Sequence, residues 1–358
     1  MKNKVPIVLI FGYPNTTTFL GGTIWIKKVV ENIEKSEVLA IRKVNSALKS
    51  KWRFLSRLIN LYVVLKGFFI NPDVAILDAY GDSCLLMWIM FRFFKPSTKI
   101  VTIFHHYEPR SNKHKDGNVL TLLYCELLDL FTRMMLDNSD NIITVSLSSS
   151  CQLKQLIKIK DGNKIAIVGC SYSKDLSIVK SESKDIDFLC VGRFEKFHGM
   201  EDIWKIIKEK MFDSKFVVVG RASAKDVLRL CNVGIEHKGI VSEDDKYKLY
   251  SRAKVLIFPS MFEGYGIAVT EALAAGMTII AWKLPVFQER FGDETSSVRL
   301  VEMGKLSLFA EEALSAIANC NIQHPPIMRQ ILNYPGSKSW QEVSNDVISV
   351  LEQCTITR

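Results

Sequence analysis

The sequence predicts an α/β protein with two doubly wound domains, each built on a parallel sheet. Short apolar runs alternate with longer stretches of helical periodicity, a pattern typical of parallel sheets that are covered by helices on both faces. This alternation occurs twice, and the polar, apolar-poor stretch Ser171–Asp187 separates the two series. Because 358 residues suffice for two domains that each bury a core, we expect one domain over residues 1–173 and another over residues 174–339.

Each predicted strand is a short apolar run, and each predicted helix has apolar residues at spacings of three and four. The first series gives strands at Val5–Phe11, Val74–Leu77, Lys99–Phe104, Asn141–Val145 and Lys164–Val168, and helices at Gly21–Ile33, Cys84–Phe94 and Leu120–Leu136. The second series gives strands at Phe188–Val191, Phe216–Val219, Val255–Phe258 and Thr278–Ala281, helices at Glu201–Lys210, Lys225–Cys231, Lys246–Ser251 and Ile267–Ala275, and a last helical segment at Trp340–Cys354. Ligands of such sheets bind beyond the carboxyl ends of the strands, so we expect the functional residues in the loops that follow strands.

Composition excludes several classes of protein. With 48% hydrophobic and 24% charged residues, the chain is not disordered, collagen-like or a small disulfide scaffold. The eight cysteines show neither CxxC spacing nor a nearby His at zinc-ligand spacing, which indicates reduced thiols in a cytosolic protein. The apolar run near the N-terminus is too short for a signal peptide, and no stretch is long and apolar enough to span a membrane.

The most informative segment runs from Phe258 to Gly276 and joins a strand, a glycine-containing loop and a helix. A helix that begins after such a loop offers free backbone N–H groups and the positive end of its dipole, which suit a phosphate or a diphosphate. Glu263 on the loop and Glu271 in the helix are placed to accept hydrogen bonds from sugar hydroxyls. The small and apolar neighbours of Glu271 indicate a buried carboxylate that needs partners, rather than a solvated surface group.

Two glutamates separated by seven residues, after a strand that ends in Pro-Ser, resemble the donor-binding motif of the retaining GT-B glycosyltransferases of glycosyltransferase family 4 (glycosyl transferases group 1). The resemblance implies that Glu263 meets the donor sugar and that Glu271 meets the ribose of the nucleotide. It also implies that the backbone of Gly264, Gly266 and Ile267 lies near the donor diphosphate.

A second segment, Phe188–Met200, is similar to the Gly-Arg and Lys-Gly motif of the same family. The two cations of that motif clamp the diphosphate and neutralise the charge that develops as the nucleoside diphosphate departs. Arg193 matches the Arg of the motif. His198 stands where the family has Lys, and Lys196 lies two residues earlier, so either side chain is a candidate for the second cation.

Weaker matches lie in the first domain. His105 follows the predicted strand Lys99–Phe104, where family members often carry a His that faces the donor sugar. Gly21 and Gly22 match the family's N-terminal glycine turn, which allows close approach to a phosphate. The family's Pro-Asn-Gly turn near the linker is absent. The resemblance further implies that the helix within residues 340–358 packs back on the first domain.

The resemblance implies a retaining transfer of a hexose from a UDP- or GDP-linked sugar, in polysaccharide or glycolipid assembly. The acceptor hydroxyl attacks from the face that the diphosphate leaves, the leaving phosphate serves as the base, and the protein contributes positioning and electrostatic stabilisation. No DxD-type carboxylate cluster occurs in a suggestive loop, and the acidic run Glu243–Asp245 is expected to precede a helix as a solvated cap. We therefore expect no metal and no cofactor besides the nucleotide-sugar co-substrate.

The formal net charge of +9 is unevenly distributed. Residues 1–174 carry 24 Lys and Arg against 13 Asp and Glu, a net charge of +11, whereas residues 175–358 carry 23 against 25, a net charge of −2. In residues 42–70, basic and aromatic side chains are interleaved on an expected helical stretch, which suits the interface of an anionic membrane. We expect a lipid-linked or glycan acceptor and a cytoplasmic protein that is peripheral on the inner face of the cell membrane. An ordinary core helix with a basic solvent face is the alternative.

Two other functions stay open. One is a GT-B sugar-nucleotide epimerase, and the other is a non-catalytic GT-B partner subunit or binding protein, which the substituted Lys position and the absent Asn-Gly would allow. Nucleic-acid binding is not expected, because it calls for aromatic stacking platforms or a recognised module and the sequence offers neither.

Overall fold

The computed structural model describes residues 5–13, 21–45, 62–79, 82–110, 118–157, 164–171, 184–194, 197–292, 294–295, 297–319 and 338–356. These residues form two compact units. The first unit contains Gly22–Gly169, the strand that precedes it and the C-terminal segment from Trp340, and the second unit contains Cys170–Ser339.

The first unit is built on a parallel sheet. Its strands are β1 (Ile7–Tyr13), β2 (Ala40–Asn45), β3 (Val74–Asp78), β4 (Lys99–Phe104), β5 (Asn141–Thr144) and β6 (Ile165–Ile167), and its helices are α1 (Gly21–Ser36), α2 (Asp82–Phe94), α3 (Val119–Asp137) and α4 (Leu147–Leu156). The strands lie in the order β2-β1-β3-β4-β5-β6, and each neighbouring pair is parallel. The central strands β3 and β4 are almost wholly apolar and buried, as strands covered on both faces must be.

The second unit repeats this plan with a larger sheet. Its elements are β7 (Ile186–Val191), α5 (Met200–Lys210), β8 (Phe216–Val219), α6 (Ala224–Asn232), β9 (Glu236–His237), α7 (Glu243–Arg252), β10 (Ala253–Phe258), α8 (Ile267–Ala274), β11 (Thr278–Trp282), α9 (Pro285–Phe291), β12 (Glu294–Thr295), β13 (Val298–Val301) and α10 (Leu306–Ala318). The strand order is β12-β13-β11-β10-β7-β8-β9, and only the two-residue edge strand β12 runs antiparallel among the described strands.

The last helix, α11 (Trp340–Ile356), packs in the first unit, far along the chain from the strands it covers. Its side chains Val343, Val347 and Leu351 are buried. The Ser344 hydroxyl donates to the Trp340 carbonyl oxygen at 2.6 Å and lies 3.5 Å from the Val29 carbonyl oxygen, so α11 contacts α1. α11 therefore completes the core of the first unit, although the second unit separates it from the rest of that unit in the chain.

The predicted fold class is confirmed, and several element boundaries are as expected. β4 and β8 have the predicted bounds, because each is an apolar run that stops at polar residues. Glu243–Asp245 lie at a helix N-terminus as predicted, but they form the first turn of α7 instead of preceding it, and the Ser242 hydroxyl accepts from the Asp245 N–H at 3.1 Å as the N-cap. Three carboxylates in the first turn stabilise the helix, because they interact favourably with the positive end of its dipole.

The expectation of one helical stretch across the basic segment 42–70 is wrong for its beginning. Arg42 and Lys43 lie on β2, the edge strand of the first sheet, where charged side chains discourage pairing with another chain. Residues 62–68 are helical, and residues 46–61 lie outside the described part of the chain.

Candidate active site

Two loops of the second unit meet at the point where the strand order reverses. The chain moves from β7 to β8 and β9 on one side of the sheet, then returns to place β10 on the other side of β7. The loops after β7 and β10 therefore leave the sheet side by side, which is where doubly wound sheets bind ligands. The His198 N–H donates to the Pro259 carbonyl oxygen at 2.9 Å, and a bridge pairs Phe197 with Ser260, so the two loops are joined.

Glycine residues in the left-handed conformation start the helices that follow these loops. Gly199 has φ +73° and caps α5, and a Cβ there would lie 2.2 Å from the Leu306 side chain. Gly266 has φ +81° and caps α8, and a Cβ there would lie 2.5 Å from the Phe287 ring. Both positions thus require glycine for conformation and for space.

Glu263 lies on the loop between β10 and α8 and is half-buried. Its Oε1 accepts a hydrogen bond from the Ser260 hydroxyl at 2.8 Å, so the serine of the Pro-Ser pair orients the carboxylate. The backbone of Gly264 and Gly266 is buried, and Ile267 is the first residue of α8. The predicted sugar and diphosphate contacts thus lie on one short loop that ends at a helix N-terminus.

Glu271 is only 4% exposed, as its neighbours in the sequence indicated. Its Oε1 accepts from the Lys246 ammonium at 2.8 Å and from the Tyr247 hydroxyl at 3.4 Å, and its Oε2 accepts from the Tyr250 hydroxyl at 3.1 Å. Each carboxylate oxygen can accept two hydrogen bonds, so Oε2 has capacity for one more donor. Burial, and then the nearby Glu271 charge, raise the pKa of the Tyr250 hydroxyl, which keeps it a donor.

Lys246 is a site residue that sequence reasoning missed. It is buried on α7 together with Leu249 and Tyr250, which follow it at helical spacings of three and four. A Lys that occupies a core position of a helix signals a buried partner. Its partner Glu271 lies 25 residues away in the chain, so the sequence alone does not identify the pair.

Arg290 of α9 is the second site residue that the sequence did not indicate, and it is 7% exposed. Its guanidinium donates to the Tyr265 carbonyl oxygen at 2.7 Å and to the Thr270 hydroxyl at 2.8 Å. It also lies 3.9 Å from the centre of the Tyr265 ring. Nearby, burial raises the pKa of the Cys170 thiol to about 12, and the Arg290 charge opposes this shift.

The residues of the Gly-Arg segment occupy the other loop. Arg193 is half-buried just after β7, and the N–H of its neighbour Phe194 donates to the Arg221 carbonyl oxygen at 3.0 Å. His198 is exposed, with its ring centre 6.4 Å from that of the buried Trp282. Lys196 lies outside the described residues, so the choice between it and His198 stays open.

In the first unit, His105 and Gly22 come together. A Cβ on Gly22 would lie 3.1 Å from the His105 Nε2 atom, so glycine permits the close approach of α1 to this ring. The Trp25 ring contacts the His105 ring edge-on at 5.9 Å, and the Ser149 hydroxyl donates to the His105 carbonyl oxygen. Gly21 is the first residue of α1.

The described residues also bear on metal and membrane binding. In this part of the chain, no three His, Cys, Asp or Glu side chains are grouped so that they could hold a metal ion. Among the helices that the structure describes, none has the length and apolar character needed to cross a membrane.

The second unit matches a known protein family. Residues 185–319 match the model described as Glycosyl transferases group 1, a range that contains both loops, Lys246 and Arg290. Over 166 residues the chain is 28% identical to the O-antigen chain mannosyltransferase RfbU of Salmonella typhimurium, which covers 44% of this chain and 46% of that protein. The chain thus spans less than half the length of this curated relative.

Solved structures resemble the whole chain. Sucrose-phosphate synthase from Thermosynechococcus elongatus aligns with a TM-score of 0.75 and 14% identity, over 99% of this chain and 100% of that chain. HepE of Anabaena, solved with UDP and glucose, aligns with a TM-score of 0.68 and 12% identity, over 98% and 100% of the two chains. At these identities the likeness shows the fold alone, and it confirms the predicted GT-B fold.

Proposed function

We propose that the protein is a glycosyltransferase that moves a hexose from a UDP- or GDP-linked sugar to a glycan or lipid-linked acceptor, in polysaccharide or glycolipid assembly. One observation carries this proposal: the loops that hold Arg193 and Glu263 are joined at the switch point of the second sheet, within the residues that match the group 1 family. The mannosyltransferase activity of RfbU and the UDP and glucose bound by HepE support a nucleotide sugar as the donor.

In this proposal, each residue of the site has a separate role. The donor diphosphate binds at the N-terminus of α8, beside Gly264, Gly266 and Ile267, where free N–H groups and the helix dipole favour negative charge. Arg193, with His198 or Lys196, neutralises that charge as the bond to the sugar breaks. Glu263 accepts from the sugar hydroxyls.

Glu271 accepts from a ribose hydroxyl through the remaining capacity of Oε2. The acceptor hydroxyl attacks on the face that the diphosphate leaves and gives its proton to the leaving phosphate, so the anomeric configuration is retained. Side-chain cations and backbone N–H groups stabilise the departing diphosphate without a metal ion.

A binding screen with UDP-, GDP- and ADP-hexoses tests the donor site. We expect the wild-type protein to bind one of these nucleotide sugars and Glu271→Ala to bind it at least tenfold more weakly, since a hydrogen bond to a charged group is worth about 1.5–3 kcal/mol. Glu312→Ala is the matched control, because Glu312 pairs with Arg299 at 2.8 Å on α10 and not on the loops. Absence of binding by the wild-type protein would refute the donor-site assignment.

The product distinguishes the competing activities. Incubation of the bound nucleotide sugar with candidate acceptors, followed by NMR of the anomeric proton, is expected to show a glycoside with the configuration of the donor. Interconversion of donor epimers without transfer would identify an epimerase instead. Donor binding with neither reaction, across lipid-linked and soluble acceptors, would favour a non-catalytic partner subunit.

We place the acceptor at an anionic membrane, with the protein on the cytoplasmic face, because of the +11 charge of residues 1–174. Exposed apolar side chains support this placement: Phe69 is 78% exposed, and one face of α3 presents Val119, Leu120, Leu123, Tyr124, Leu127, Leu130 and Met134 to solvent. A soluble monomer rarely exposes so continuous an apolar face.

Flotation with vesicles of phosphatidylglycerol and phosphatidylcholine tests the membrane proposal. We expect the wild-type protein to float, and the double variant Leu120→Gln, Leu127→Gln to lose most of this binding. Leu308→Gln on α10 is the control, since it changes an exposed leucine of the second unit. Failure of the wild-type protein to float, with full activity on a soluble acceptor, would reject the membrane while leaving the transferase intact.

A further inference from the structure

Three buried charges surround α8 in the second unit. Glu271 lies on α8 itself. Lys246 of α7 pairs with Glu271, and Arg290 of α9 binds the Thr270 hydroxyl of α8. Lys246 is 5% exposed and Arg290 is 7% exposed. Lys246 and Glu271 form an ion pair at 2.8 Å, so their charges offset one another. Among the described residues, the cluster therefore keeps one positive charge in excess, and that charge belongs to Arg290.

The contacts of Arg290 leave this charge without a counter-anion. In the described part of the chain its guanidinium is bound by a carbonyl oxygen, a hydroxyl and the faces of the Tyr265 and Phe291 rings, none of which is anionic. A buried cation that lacks a carboxylate costs free energy, because the protein interior solvates it less well than water does. Arg299, nine residues later on β13, has such a carboxylate partner, because it pairs with Glu312 at 2.8 Å.

Arg290 also lies directly against the first turn of α8. Tyr265, whose carbonyl oxygen it binds, immediately precedes the cap Gly266. Thr270, whose hydroxyl it binds, in turn donates to the Gly266 carbonyl oxygen at 3.3 Å. The guanidinium therefore fixes both sides of the turn whose N–H groups face the proposed diphosphate, and its charge adds to the positive end of the helix dipole.

We propose that Arg290 is a positioning residue of the donor site whose buried charge is balanced by the diphosphate of the bound nucleotide. This inference rests on the proposed function, because it requires a nucleoside diphosphate at the N-terminus of α8. The diphosphate is held by the loop that Arg290 fixes and supplies the counter-charge that the contacts of Arg290 among the described residues do not provide. A charge a few ångströms behind the binding turn acts through a medium of low dielectric constant, so water screens it less than it screens an exposed cation.

A purely structural role for Arg290 predicts something different. If Arg290 only held the loop through its hydrogen bonds, Arg290→Lys, which keeps the charge but loses the planar guanidinium, would lower the affinity for the nucleoside diphosphate as much as Arg290→Met does. If its charge balances the diphosphate, Arg290→Met weakens the nucleoside diphosphate much more than the nucleoside, which carries no phosphate, and Arg290→Lys restores part of this difference. The ratio of the two affinities, compared between Arg290→Met and Arg290→Lys, therefore separates the two roles even where a variant is less stable overall.

The experiment is calorimetric titration of the full chain with UDP, GDP and ADP and with uridine, guanosine and adenosine. We expect Arg290→Met to lower the affinity for the preferred nucleoside diphosphate on the order of tenfold, with little change for its nucleoside. Arg290→Lys keeps the charge but loses the planar guanidinium, and it should recover part of the wild-type ratio between the affinities for the nucleoside diphosphate and the nucleoside. Arg299→Met is the matched control and should leave the ratio at its wild-type value.

The outcomes separate the two proposals. An equal loss of nucleoside and nucleoside diphosphate in Arg290→Met would overturn the role of the Arg290 charge while the donor site stands. An unchanged affinity for both would overturn it as well. If the wild-type protein binds none of the three nucleoside diphosphates, the proposed function fails and this inference fails with it.

Discussion

Lys246 occupies a position on α7 that helical spacing assigns to the core, in line with Leu249 and Tyr250. Its ammonium and the Glu271 carboxylate are both nearly inaccessible to water, and they form an ion pair at 2.8 Å. Neither charge would be tolerated alone at these positions. The pair thus fixes the orientation of Glu271 before any ligand arrives, which is the condition for an efficient contact with a ribose hydroxyl.

The pair predicts a large asymmetry between two lysines of one helix. Lys246→Met leaves the Glu271 charge buried without its partner and is expected to destabilise the second unit by about 3–5 kcal/mol. Lys248→Met removes only an exposed pair with Asp245 and should leave stability unchanged within error. Urea dependence of hydrogen exchange in peptides of the second unit measures both changes.

A further variant isolates the cause. Lys246→Met combined with Glu271→Gln removes both charges and should recover part of the lost free energy, because no uncompensated charge remains. A double variant as unstable as Lys246→Met alone would mean that packing of the lysine stem, and not its charge, stabilises this region.

At the scale of elements, α8 is an eight-residue helix that connects β10 to β11, packs against both strands and is buried along most of its length. Its start is fixed by the left-handed Gly266 and its end by the left-handed Gly276, so both boundaries depend on glycine conformation. The two glycines differ in their surroundings. A Cβ at Gly266 would meet the Phe287 ring, whereas a Cβ at Gly276 would meet no atom of the protein within 4 Å.

This difference predicts the effects of two alanine substitutions. Gly276→Ala carries the left-handed penalty alone, about 1–2 kcal/mol. Gly266→Ala adds a steric conflict with Phe287 and should cost a further 1–3 kcal/mol or so. It should also weaken nucleotide binding, because the loop that caps α8 must move. Thermal unfolding and nucleotide titration of the two variants provide the comparison, and equal losses in both would contradict it.

Elements also show what the sequence could predict. β4 and β8 were predictable because an unbroken apolar run between polar residues has one interpretation in a parallel sheet. β2 was not, because the consecutive charged residues Arg42 and Lys43 interrupt the short apolar pattern of Ala40–Asn45, as an exposed edge strand allows. α9 has only seven residues, too few for a periodic signal.

The residues of the candidate site also differ in whether the sequence could indicate them. Glu263, Glu271 and Arg193 stand in local patterns, so the sequence indicated them. Lys246 and Arg290 act through partners that are twenty or more residues away in the chain, and only the fold brings them together.

At the scale of the whole molecule, the first unit contains both β1–β6 and α11, which follows the second unit in the chain. α11 buries Val343, Val347 and Leu351 in the first unit. Folding of the first unit therefore depends on residues that are synthesised after the second unit.

A core substitution in α11 should affect the two units unequally. Leu351 is fully buried, and Leu351→Ala is expected to cost the first unit about 2–5 kcal/mol through lost contacts and a residual cavity. Hydrogen exchange in β3 and β5 should quicken, while exchange in β10 and β11 should hold its wild-type rate. Equal acceleration in both units would show that the two units unfold as one cooperative body.

The hydrogen bond from the His198 N–H to the Pro259 carbonyl oxygen joins the two loops through main-chain atoms only. Replacement of the side chain at position 198 leaves both of these atoms in place. The side chain at position 198 can therefore change the electrostatics of the loop while the main-chain link between the two loops is kept. Position 198 thus separates the charge of the site from the scaffold that holds it.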